Sequence, residues 1–206
     1  VVGSCYLKWR LLDSLGRNAM KTSYLLLSAS LLGILAGCVP SLHQLWTDKT
    51  LIFDDTIAGT YKQDESTWVF VGNPQEKSYT LTISEKEGRQ SKLIARLVEV
   101  SGKRFFDFYP ATDAELEAGE WLKLHILPVH LFFKVEKTAE SFKLAAMNPD
   151  EVGKLLKEKP QLIKHEVVED DRVVLTDRAE NLQKFLLEGL AVEKFFGDPM
   201  ELCPVK

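Results

Sequence analysis

Two histidines, an acidic triplet and a late cysteine are the residues whose types and spacing could carry chemistry in this 206-residue chain. His125 and His130 stand five apart with Pro128 between them. On a straight strand that odd spacing puts them on opposite faces, so a shared metal would need a bend at the proline. They read as hydrogen-bonded or solvated histidines, and no metal site is expected. Glu169-Asp170-Asp171 would hold a divalent cation only if further oxygens converged on it. Beside Arg172 and between two valine pairs, it reads as a solvated turn. Cys203, next to Pro204, has no activating neighbour in sequence and reads as a buried or merely unpaired thiol rather than a nucleophile. The chain has no Gly-x-Ser-x-Gly elbow, no phosphate-cradling glycine loop, no His-Glu-x-x-His pair and no Cys-x-x-Cys. No catalytic residue and no cofactor is assigned, and a non-enzyme is expected.

The elements that must position any site are mainly strands. Tyr79, Leu81 and Ile83 alternate with Thr80, Thr82 and Ser84, the cleanest period-2 signal in the chain. Thr60-Tyr61-Lys62 opens an earlier strand after Gly59, and Trp68 to Val71 forms the next, ended by Gly72-Asn73-Pro74. Leu93, Ala95 and Leu97 share a strand face, although Ile94 and Val98 compete for the interior. Ser101-Gly102 turns the chain into Arg104 to Tyr109, where Phe106 and Phe108 face one way. Val129, Leu131, Phe133 and Val135 alternate again, followed by Phe142, Leu144 and Ala146. The acidic segment between Pro110 and Trp121 reads as a loop or short helix. Asn148-Pro149-Asp150-Glu151 is a helix start that Pro160 ends. After a strand at Val173-Val174-Leu175, Thr176 or Asp177 caps a helix with Leu182, Phe185, Leu186 and Leu190 on one stripe. The last residues, with Pro199 and Pro204, read as irregular. The expected fold is therefore mainly β, an antiparallel meander barrel with one inserted helix and a C-terminal amphipathic helix.

The N-terminal region says where such a barrel works. Met20 and Lys21 precede an apolar core from Leu25 to Ala36, twelve residues where a membrane-spanning helix needs about 20. Leu35-Ala36-Gly37-Cys38 resembles the lipobox of bacterial lipoprotein precursors. The resemblance implies cleavage between Gly37 and Cys38, lipidation of Cys38, and a body held to the membrane by N-terminal acyl chains. Val39 stands where many inner-membrane lipoproteins carry Asp, so the outer membrane, facing the periplasm, is expected. Residues 1–19 read as an extension upstream of a start at Met20, 20–37 as the signal peptide, 38–49 as lipidated Cys and short tether, and 50–206 as one domain. The apolar side chains Leu42, Leu45 and Trp46 lead us to expect the tether to dock on that domain. With Cys5 lost in the leader and Cys38 consumed by lipid, Cys203 is the last thiol, and no disulfide within the mature body is expected.

Further resemblances concern the body. A Gly-Thr-Tyr opening strand at Gly59-Thr60-Tyr61 and a closing amphipathic helix resemble lipocalin-like barrels, departing at Tyr61 from that family's Gly-x-Trp. Ser41-Leu42-His43, Leu51-Ile52-Phe53-Asp54, Leu127-Pro128-Val129-His130 and Val174-Leu175-Thr176 are similar to an uncharacterised group of bacterial lipoproteins, which implies class and no mechanism. The formal net charge is −4, and the leader removes Lys8, Arg10, Arg17 and Lys21 against only Asp13, so the body is more acidic still. Nucleic acid is therefore not an expected partner. Tyr61, Phe70, Tyr79, Phe106, Phe108, Phe133 and Phe142 all fall on candidate strands. They would line a cavity for an apolar ligand or simply fill the barrel, since eight strands enclose room for their own side chains or one small ligand. A filled core is favoured on that geometry. The functional expectation is a non-catalytic binding module for an apolar small ligand. The alternative is an envelope lipoprotein that scaffolds or contacts other proteins.

Overall fold

Alternating side chains build nearly all the strands of this computed structural model, which describes residues 38–112, 120–123, 125–138 and 141–205. The segments expected to be an upstream extension and a signal peptide, Gly37 included, and most of the acidic segment before Trp121 lie outside the described residues. The compact unit begins at Cys38. Residues 38–49 are part of it: Val39 and Leu45 are buried in its core, and β1 (Pro40–Ser41) pairs with two other strands.

After β1 come β2 (Leu51–Ile52), β3 (Gly59–Gln63), β4 (Ser66–Asn73), β5 (Ser78–Ser84), β6 (Gln90–Val100) and β7 (Lys103–Pro110). The single-turn helix α1 (Glu120–Lys123) precedes β8 (His130–Lys137) and β9 (Phe142–Ala146). Helix α2 (Pro149–Glu158), β10 (His165–Val168), β11 (Arg172–Leu175), helix α3 (Ala179–Gly189) and β12 (Met200–Pro204) complete the order. Strands β3 to β9 pair in sequence, β9 pairs with β12, and β12 returns to β3, every pair antiparallel. This circuit is a closed eight-stranded barrel, which leaves no open edge within it.

The closing strand corrects the expectation of an irregular tail and of a terminal helix. β12 follows α3, and only Leu202 of its five residues is fully buried, so it carries no alternating apolar signal. β10 was likewise not anticipated; its four residues are mostly exposed. Cys203 lies half-buried on β12, opposite Lys62 of β3. The turn at Ser101-Gly102 has φ of 51° and 72°, the left-handed pair that suits a two-residue hairpin joining right-twisted strands.

Two cores result. Leu93, Ala95 and Leu97 point into the barrel with Phe106, Phe108, Phe133 and Val135, which settles the competition with Ile94 and Val98. Outward, Val98, Phe105 and Phe132 form an apolar platform on β6, β7 and β8. Against it pack Val152 and Leu156 of α2, Leu182, Phe185 and Leu186 of α3, and Val173 and Leu175 of β11. Asn148 starts α2 as its sequence predicts, accepting hydrogen bonds from the Asp150 and Glu151 N–H groups with Pro149 at the first position. The last turn of α3 is tight. A Cβ built on Gly189 would lie 2.3 Å from the Phe195 ring, so glycine is what lets that ring seat.

Candidate functional site

The seven aromatic candidates all lie inside the barrel, and they touch one another. Tyr61 meets Phe142 at 4.8 Å between ring centroids and Phe70 at 5.9 Å; Phe70 meets Phe106 at 5.8 Å and Tyr79 at 6.3 Å. Phe106 then contacts Phe108 at 5.4 Å, and Phe108 contacts Phe133 at 4.9 Å. These separations are those of packed aromatic cores. Each of the seven is buried, and Leu81, Leu97 and Leu144 beside them are fully so.

The end of the barrel nearest Asp54 is also closed. Phe53 stacks on Tyr79 at 4.9 Å, and the Tyr79 hydroxyl donates to the Asp54 carbonyl while accepting from the Asp54 N–H, both at 2.8 Å. Burial, chiefly, pushes the Tyr79 phenol up to about 12. Tyr61 similarly donates to the Ile57 carbonyl at 2.9 Å.

Two cavities lie on the outer wall instead. Strand register explains what lines them. Arg96 of β6 stands opposite Asp107 of β7, which stands opposite Phe132 of β8. One row along, Ile94 stands opposite Tyr109, and His130 stacks on Tyr109 at 4.4 Å between centroids. Residues 44–46 cross over these rows. The result is a cleft of about 280 Å³ lined by Gln44, Trp46, Ile94, Arg96, Asp107, Tyr109 and His130. A shallower hollow shares Gln44, Trp46 and His130 and adds Arg178, Asp48 and Glu180.

Asp107 organises the cleft. Only 2% exposed, it places one carboxylate oxygen 2.7 Å from His130 Nδ1, while the other accepts from the Leu45 N–H at 2.8 Å. A carboxylate can only accept, so the neutral His130 ring carries its proton on Nδ1 and keeps Nε2 as an acceptor. The overlying segment is held from behind as well, by Gln183 of α3 donating to the Leu45 carbonyl at 2.8 Å. Arg96 lies over the Trp46 ring at 4.6 Å. Its Nε is buried and, among the described residues, has no hydrogen-bond partner.

His125 and His130 are not brought together on a strand. His125 is exposed in the loop before β8, whereas His130 opens that strand and turns to Asp107. Glu169–Asp171 forms a short 3-10 turn, with Asp171 pairing to Lys157 at 3.2 Å. Cys38 is half-buried, and burial pushes its thiol up. Arg96, Asp107 and Tyr109 are not singled out from sequence, and Trp46 is singled out there only as a tether side chain expected to dock on the domain. One signal was legible: Asp107 interrupts a run of phenylalanines, Phe105-Phe106 before it and Phe108 after it. An acid on a strand apolar on both faces requires a buried partner. Comparison of the chain with protein-family models, with curated proteins and with solved structures finds no match.

Proposed function

We propose that this chain is a lipid-anchored protein of the bacterial envelope, tethered through Cys38 and facing the periplasm from the outer membrane. We further propose that it acts as a non-catalytic binding module whose ligand sits in the outer-wall cleft. The observation that carries the reading is the contrast between the two compartments. Packed rings fill the interior, while outside it a guanidinium, an imidazole and an amide converge between aromatic walls. The ligand class moves accordingly, from an apolar molecule inside the barrel to a small polar one beside it. The cleft lining offers no serine, threonine or cysteine hydroxyl or thiol to pair with His130, which favours binding over nucleophilic catalysis.

A second reading, a lipoprotein that contacts other envelope proteins, has its own observation. β10 pairs with β11 on one side, and Val167 and Val168 on it are 55% and 41% exposed.

Native mass spectrometry of the full-length protein recovered from its envelope tests the first reading. A stoichiometric small molecule is expected, and filling the cleft by Ile94→Trp should remove it while the fold survives. A bound acyl-type molecule that Ile94→Trp leaves in place would locate the ligand inside the barrel and overturn the reading.

A further inference from the structure

We infer that the cleft recognises the carboxylate of a small organic acid and that Arg96 receives it. The inference rests on the cleft being the ligand site and names what the site selects. Arg96 Nε is the buried side-chain polar atom that, among the described residues, nothing answers. Buried donors in native proteins are satisfied, so an unanswered one in the wall of a cleft marks where an acceptor belongs. Arg96 Cζ lies 4.6 Å from the Trp46 ring centroid, a cation–π contact that seats the side chain in the cleft wall, and its guanidinium carries an N–H edge. That edge is a fork matched to the two oxygens of a carboxylate.

Charge limits the ligand to one negative group. Asp107 stands directly across the ladder from Arg96, and its own oxygens are committed to His130 and Leu45. A doubly charged phosphate would face that buried carboxylate with a single guanidinium to offset it. The adjoining hollow does not help, because Arg178 there is matched against Asp48 and Glu180. Trp46, Tyr109 and Ile94 supply apolar wall for the body of the acid, and about 280 Å³ suits a single ring.

Titrating the full-length protein with 4-fluorobenzoate and with neutral 4-fluorobenzamide, read by 19F line width, tests the inference. The acid should bind and the amide should not. Arg96→Gln should weaken the acid by roughly tenfold or more, the size of a lost charge-assisted pair. Arg96→Lys, which keeps the charge and loses the fork, should recover only part of it. Equal binding of acid and amide would overturn the carboxylate assignment while leaving the cleft as a ligand site. Acid binding that neither Arg96 variant changes would place it elsewhere and overturn the inference. Silence from both probes would also overturn it, whereas the mass measurement on Ile94→Trp judges the cleft itself.

Discussion

Both oxygens of Asp107 are spoken for, one by a ring nitrogen of His130 and one by the Leu45 N–H, and the residue itself is buried. Removing the carboxylate therefore leaves a buried donor with nothing to accept from it. Asp107→Ala should cost about 2–3 kcal/mol in urea unfolding. Asp107→Asn should cost less, and it should reverse the imidazole. The new amide would donate to Nδ1, moving the neutral ring's proton to Nε2, a change that 15N shifts of His130 report directly. An Asp107→Ala variant as stable as the parent would mean the acid does not organise the cleft. In the sequence, His130 stands out through its type, whereas nothing local marks Arg96. What distinguishes Arg96 is Trp46, fifty residues away in the chain and adjacent only after folding.

Among the elements, the short 3-10 turn at Asp55–Ile57 closes one barrel end, and Asp54 holds it. The Asp54 carboxylate accepts from the Thr56 N–H at 3.1 Å and from the Thr56 hydroxyl, and pairs with Arg104 and Lys137, each at 3.2 Å. The Thr56 hydroxyl first, and Lys137 after it, hold this carboxyl below its ordinary value against the opposing push of burial. A lowered folded value means the contribution is present above the ordinary carboxylate range and is lost as pH falls through the lowered value. Asp54→Asn should therefore cost about 0.5–1 kcal/mol at pH 7, modest because Arg104 and Lys137 are partly solvated. The gap should close below about pH 4, read from urea midpoints at both ends of the range. A gap that stays constant with pH would exclude the charged form as its source.

β5 was legible in the sequence because one face meets the packed interior and the other is more exposed, so the chain alternates; β8 shows the same period at Leu131, Phe133 and Val135, although Phe132 on its outer face is buried too. β12 was not legible, because its role is to complete a circuit of backbone hydrogen bonds, which five residues of any composition with a free edge could do.

For the whole molecule, the sequence carried the barrel and its two helices, and it left open which compartment meets a ligand. That question depends on how seven rings from six strands settle together, a matter of packing that no local pattern encodes. Here they fill the interior, and the long strands β6, β7 and β8 present a second apolar face that the helices cover. The cleft forms along that outer face where residues 44–46 cross it. Apolar side chains point inward and threonines such as Thr80 and Thr82 point out, the reverse of a barrel that faces lipid.

Each compartment contains a tryptophan: Trp46 lines the cleft and Trp68 lies in the barrel core. The most direct measurement is 19F NMR of the full-length protein labelled with 5-fluorotryptophan, comparing the form recovered from the envelope with the form stripped by unfolding and refolding. A ligand in the outer cleft moves the Trp46 resonance and leaves Trp68 where it was. A shift at Trp68 with Trp46 unmoved would put the ligand inside the barrel and contradict the account.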